Sequence, residues 1–376
     1  MKKTLRFIGL DVHKDTITIA VADPGRDGEV RVFGTISSDW HAVDRAIAKL
    51  RADGATLHAA YEAGPTGFGL CRHLCKAGID CIVVAPSKMP VPVGRRQKTD
   101  RRDAELLARL LRAGELSAIH VPDATDESIR DLARARADAV DDLRRAKQRL
   151  KSFLLRVGYR YQGKASWGPA HQRYLRDLVL PLPAHKAVLE EYLLAIDQGS
   201  QRVARFDELL EAQVPRWSRY PAVQALMAMR GFQLVAATVL VSEIGDIRRF
   251  AHPRNLMAFL GLVPHEHSTG DSRRLGAITK TGNVHARWML IEIVQSALLP
   301  PKVALPLQLR QQDQPAAVKE LSWKVQTRLH KRGWHLLCRG VMKPKVLVAL
   351  AREMAGFVWA MLHLVPEPSA PALRRA

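Results

Sequence analysis

The first 85 residues change their hydrophobic period in a set order, and this restricts the fold more than any other feature of the chain. Residues 5 to 12 read LRFIGLDV, a short apolar run ending in an acid. DTITIAVAD at 15 to 23 alternates with period two, so both stretches read as strands. EVRVFGTI completes an antiparallel meander, and WHAVDRAIAKLRADG has helical spacing with Gly54 as its stop. LHAAYEAGPTG is a further strand that reaches Glu62 before a Gly/Pro turn, RHLCKAG a helix, and IDCIVVAP an apolar strand. The pattern predicts an α/β unit over residues 1–120 with Asp11 and Glu62 at strand ends, where open α/β sheets place their sites.

A basic loop follows, PVGRRQKTDRRDAELLARLLRAG, whose second half is a strong helix former. Asp100 and Asp103 are three apart and therefore project from one helical face near its start. Two carboxylates from a helix and two from adjacent strands make a cradle for one or two Mg²⁺ ions, which bind through few carboxylates plus substrate phosphates. The other reading makes Asp100 a helix cap and Asp103 a partner for Arg101 or Arg102.

These acids stand against a formal net charge of +21, from 58 Lys plus Arg and 37 Asp plus Glu. A basic excess spread over several segments points to a polyanion, nucleic acid before membrane. No apolar run approaches the roughly 20 residues of a spanning helix, and MKKTLRF leads into the first strand without the apolar core of a signal peptide. A cytoplasmic protein with no membrane partner is expected. Four cysteines fit a reducing compartment. Cys71, His73 and Cys75 lie close in sequence, but with Cys81 inside an apolar strand, buried thiols are a better reading than zinc ligands.

From about residue 125 only helical patterns remain. Ile129, Leu132, Arg136, Ala139, Leu143, Ala146, Leu150, Phe153 and Val157 alternate spacings of three and four, a heptad seam interrupted by Arg136. The region 121–218 reads as a coiled-coil oligomerisation arm whose seam meets a partner subunit; an ordinary packed helix has the same pattern. GYRYQGKASWGPAHQRY interleaves aromatics with bases, suited to looped nucleic acid or to a plain connection, and a second helix runs from about His185 to Val214. In 219–376, VQALMAMRGFQLVAATVLVSEIGDIRRF reads as a helical hairpin, with a phosphate-facing helix start or a purely structural turn. GLVPHEHSTGDSRRLGAITKTGN then places Ser268 and Thr269 among His265, His267, Arg273, Arg274 and Lys280. A hydroxyl beside imidazoles and cations is suited to attack phosphorus, because the imidazole takes its proton and the cations stabilise developing charge.

IGLDVHKD, YEAGPTG, KTDRRDA and GLVPHEHSTGDSRRLGAITKTGN, in this order, closely resemble the transposases of the IS110 family, which includes the Piv DNA invertases. The resemblance implies an α/β RNase H-like (RuvC-like) domain with a DEDD tetrad of Asp11, Glu62, Asp100 and Asp103 holding Mg²⁺. It implies an all-α coiled-coil region and a mainly helical C-terminal transposase domain whose serine links covalently to DNA. Double-stranded target and donor DNA, a structured noncoding guide RNA and a homotetramer are the partners it implies. Relatives often read Ser-Ser-Gly where this chain has Ser268-Thr269-Gly270, so Ser268 is the expected nucleophile, Thr269 the alternative and Ser272 a distant third. Arg95, Arg96, Lys98, Arg101, Arg102, Arg273, Arg274 and Lys280 are the expected nucleic-acid contacts. Three rivals stand beside this reading: a RuvC-like nuclease or junction resolvase that hydrolyses, an actin-like ATPase, and a catalytically dead scaffold. The ATPase lacks its glycine-rich phosphate loop in DVHKD.

Overall fold

The computed structural model of the chain describes residues 4–89, 99–164, 166–266, 272 and 274–366. The chain divides into two compact units, 1–121 and 122–376.

The first unit is built on β1 (Leu5–Val12), β2 (Thr16–Ala22), β3 (Val30–Ser37), α1 (Trp40–Leu50), β4 (Thr56–Glu62), α2 (Gly69–Lys76), β5 (Asp80–Val84) and α3 (Asp100–Ala113). Its five-stranded sheet has the order β3-β2-β1-β4-β5, with an antiparallel meander over β1 to β3 and parallel pairing of β1 with β4 and β4 with β5. The two faces differ in side-chain size. Ile8, Leu10, Ile17 and Ile19 meet Val43, Leu50, Leu70 and Leu74 of α1 and α2 in a branched aliphatic core. The opposite face offers Ala20 and Ala22 to Ala104 and Ala108 of α3. A Cβ added to Gly9 would lie 2.0 Å from the Ala104 carbonyl oxygen and 2.5 Å from the Ala108 nitrogen, so α3 rests its backbone directly on β1.

The second unit is mainly helical: α4 (Ala124–Arg156), α5 (Pro169–Asp177), α6 (Pro183–Gln213), α7 (Tyr220–Met227), α8 (Leu234–Ile244), α9 (Pro253–Phe259), β6 (Pro264–Glu266), β7 (Leu275–Ile278), α10 (Val284–Ile293), α11 (Leu305–Gln311), α12 (Ala316–Cys338) and α13 (Lys343–His363). The heptad seam of α4 is packed within the chain: α6 lies along it, and its first positions, Ile129 and Leu132, join the core around α8. Phe153 meets Tyr192 and His185, Leu143 packs at Gly199, and Arg136, the interruption in the seam, pairs with Asp207 at 2.5 Å. The aromatics of the following segment pack on one another, with Tyr161, Trp167 and Tyr174 around the buried His171. Gly231, between α7 and α8, lies against Ser296 and Ile293, which makes that turn part of the packed core. Contrary to the sequence reading, α13 is long and apolar enough to cross a membrane by length and composition. Its apolar face, including Val346, Leu350, Met354 and Val358, is buried in the core of this unit.

Candidate active site

Side-chain alternation and one cap assemble the acidic cluster. Gly9 and Asp11 are two apart on β1 and share the face on which α3 lies. Gly9 pairs with Ala60 on β4, so Glu62, two residues on, lies on that same face at the end of the neighbouring strand. On α3 the buried stripe runs through Ala104, Leu107 and Ala108, and Asp100 and Asp103 continue it by one turn toward the helix start. Thr99 caps the helix by accepting from the Arg102 nitrogen, so Asp100 is not the cap; it stands in the first turn, where the helix dipole favours negative charge.

The Nε2 of His13 donates to Asp11 Oδ2 at 3.2 Å and stands 3.6 Å from Asp100 Oδ1. Ligand atoms of Asp11, His13 and Asp100 lie within 4.8 Å of one another, a spacing that one cation can bridge. Burial pushes the Asp11 carboxyl above its ordinary value of 3.8, and the neighbouring Asp100 and Asp103 charges push the same way against the pull of His13. Crowded carboxylates whose charged form is disfavoured are the donor set that a divalent cation relieves, so the residues present fit such an ion. His13 is absent from the sequence-level candidates; it lies just past the end of β1, and only the approach of Asp100 marks it. Cys71 donates to the Cys81 carbonyl and both are buried, while Cys75 is exposed; none belongs to a metal-ligating group among the described residues.

The second candidate element is the segment joining β6 and β7. Ser268, Thr269, His267 and Arg273 lie outside the described residues, as do Arg95, Arg96 and Lys98 of the loop before α3. Arg101, Arg102, Ser272, Arg274 and Lys280 are exposed. The stems of this hairpin are held tightly. Gly261, at φ 64, closes on the Thr281 carbonyl, and Gly282, at φ 82, on that of Phe259; at either, a Cβ would come within about 2 Å of backbone. The buried Arg287 guanidinium donates to the carbonyls of Leu260 and Thr281. Asn283 caps α10 and donates to Glu243, which also takes both nitrogens of an Arg134 fork at 2.7 and 2.9 Å. Burial works against the Glu243 charge, but Arg134 and Asn283 outweigh it and hold the carboxyl below its ordinary 4.5. Lys280 itself has φ 56, a left-handed backbone held by its bond to the Gly261 carbonyl.

Comparison with known sequences matches both regions. A family model of DEDD transposases of the IS110 type, described as a transposase, covers residues 8–158, and one described as transposase IS116/IS110/IS902 family covers 223–304. The chain is 43% identical to a putative transposase, y4qE, of Sinorhizobium fredii, over 94% of this chain and 88% of that protein. It is 28% identical to the transposase for insertion sequence element IS1533 of Leptospira borgpetersenii, over 87% and 95%. It is 23% identical to the transposase for IS1111A of Coxiella burnetii, over 96% and 90%. The acid-bearing sheet and the hairpin thus fall in the two segments that the family models match, and the chain belongs to the IS110 family of transposases.

Proposed function

We propose that the protein cuts and rejoins the DNA of its insertion sequence by pairing a metal-binding acidic tetrad with a serine nucleophile. The observation that carries this reading is the approach of Asp11 and Asp100, with His13, to within the span of one cation at the strand-end edge of a five-stranded sheet of order β3-β2-β1-β4-β5. Asp11, Glu62, Asp100 and Asp103 hold Mg²⁺, with His13 at the edge of the site. The bound cation supplies charge neutralisation at the scissile phosphate. Ser268 Oγ attacks phosphorus and its proton passes to His265 or His267; the bond to one bridging DNA oxygen breaks, and that oxygen leaves as a hydroxyl with the proton the imidazole took. The phosphoserine ester then preserves a bond that a hydroxyl of a second DNA end can attack, releasing the serine. Arg95, Arg96, Lys98, Arg101, Arg102, Arg273, Arg274 and Lys280 contact the phosphates.

A structured noncoding RNA selects target and donor by pairing, so the protein reads backbone and shape more than bases. Residues 1–120, 121–218 and 219–376 act as catalytic, oligomerisation and transposase segments of a tetramer in which one subunit's tetrad works with another's serine. With the α4 seam packed within the chain, the contact between subunits falls to the outer face of this hairpin, where Leu194 and Leu209 are exposed. Ser268→Ala should keep DNA and RNA binding and lose the covalent adduct. Persistence of the adduct overturns the serine assignment, and hydrolysed ends without attached protein would point instead to a resolvase-type nuclease.

A further inference from the structure

Arginines from three helices of the second unit converge on one cavity that the reaction described above does not use. Arg254 at the start of α9, Arg328 and Arg332 on α12, and Arg352 on α13 line a space of about 420 Å³ together with His252 and Glu353. No residue of the acidic cluster or of the β6–β7 hairpin lines it. All four arginines are exposed. Glu353 is the single carboxylate of the lining, and it takes Arg328 and, at 3.0 Å, Arg332. Arg254 and Arg352 have no carboxylate partner among the described residues.

Four guanidinium groups against one carboxylate around a shared concavity repel one another, and a multivalent oxyanion relieves that repulsion. The planar fork of arginine matches two phosphate oxygens at once. A solvated basic helix face explains cations spread along one element, but not their convergence from three. The cavity also continues into a line of charge. Lys324, Arg328, Lys331, Arg332, His335 and Arg339 recur at spacings of one, three and four on α12 and its C-cap, all exposed and within one stripe. From Lys324 to Arg339 the stripe runs about 22 Å, the rise of about six to seven nucleotides of one strand. A free phosphate needs only the cavity; a cavity opening onto such a stripe suits a polymer of phosphodiesters.

We propose that the cleft between α9, α12 and α13 is a phosphodiester-binding site that grips nucleic-acid backbone away from the reacting phosphate. Arg254 and Arg352 present open forks, and Glu353 orients Arg328 and Arg332. The test is binding of the full chain to a random-sequence DNA duplex and to an RNA stem-loop across a salt series. Arg254→Ala/Arg352→Ala removes two cations without orphaning Glu353. The slope of log affinity against log salt should fall by about 1.8 on duplex, or about 1.4 if the bound stretch is single-stranded, with a loss of tens of fold at about 0.1 M salt. A control, Lys49→Ala/Lys186→Ala, removes two exposed lysines elsewhere and should leave the slope in place. Loss on one probe alone identifies DNA or RNA as the occupant. An unchanged slope on both probes overturns the proposal, as does an equal loss in the lysine control. So does an effect confined to binding of anionic phospholipid vesicles, which would make the cleft a headgroup site.

Discussion

Gly9→Ala tests whether the seat of α3 on the sheet sets the active site. The added methyl would sit 2.0 Å from the Ala104 oxygen, 2.5 Å from the Ala108 nitrogen and 2.9 Å from Leu107 Cβ, whereas ordinary contact begins at 3.4 Å. Two of these atoms are backbone, so no side chain can swing aside; α3 must lift from β1 by about 1 Å or more. Overpacking of this kind costs about 1–3 kcal/mol. For a unit of this size that lowers the melting temperature by about 4–12 °C. Asp100 and Asp103 move with the helix while Asp11 and Glu62 stay with the sheet. A displacement of about 1 Å in a catalytic constellation costs about 100-fold in rate. Thermal melting and strand cleavage of an end-labelled duplex, each over a divalent-ion titration, read both effects. Gly64→Ala serves as control, because its Cβ meets nothing within 4 Å and its stability should match or slightly exceed that of the parent. A Gly9→Ala protein with parental melting and cleavage would refute the argument that this backbone contact positions the carboxylates.

The raised Asp11 carboxyl has a pH signature. A folded value above the unfolded one means that the native state holds the proton longer, so metal-free stability declines as pH rises through the interval above 3.8. Asp11→Asn should therefore melt higher than the parent in EDTA at neutral pH, lose that advantage below the ordinary carboxylate range, and gain no stability from added Mg²⁺; equal metal stabilisation of both proteins would remove Asp11 from the site. His13→Ala should bind Ni²⁺ more weakly while Mg²⁺ affinity changes less, since imidazole suits nickel and carboxylate suits magnesium, and competition titration measures the ratio. Glu243→Ala leaves the Asn283 amide without its acceptor and frees the Arg134 fork, which is 40% exposed and rehydrates, at about 1–3 kcal/mol in urea unfolding. Because Glu243 is held below 4.5, its contribution is present above that value and fades as pH falls through the lower folded one.

The strands and helices of the first unit are legible because each buries one face and so writes its period into the chain. LRFIGLDV becomes β1, DTITIAVAD contains β2, and the helix ending near Gly54 is α1 with its cap at Asp39. Asp100 and Asp103 are legible as a same-face pair for the same reason. His13 is harder to see: an exposed imidazole in a polar turn carries no signal until Asp100 arrives beside it from 87 residues away in sequence. The α4 seam illustrates the opposite limit. Its heptads state that a helix packs there, but the partner is chosen by where the chain turns back, and Arg136 looks like a flaw until Asp207 stands opposite it.

Periodicity, which depends only on local geometry, determined the order of elements, while composition and motifs determined the basic character of the chain and the acids and hydroxyls available for chemistry. Tertiary packing alone decided which of these meet. The closeness of α3 to β1 rests on the missing side chain of Gly9, and the footing of the β6–β7 hairpin rests on Gly261, Gly282 and the buried Arg287. The arginine cleft exists only because α9, α12 and α13 converge. Distances between residues far apart in sequence are set by the volume of what lies between them, and that volume is a property of the packed whole.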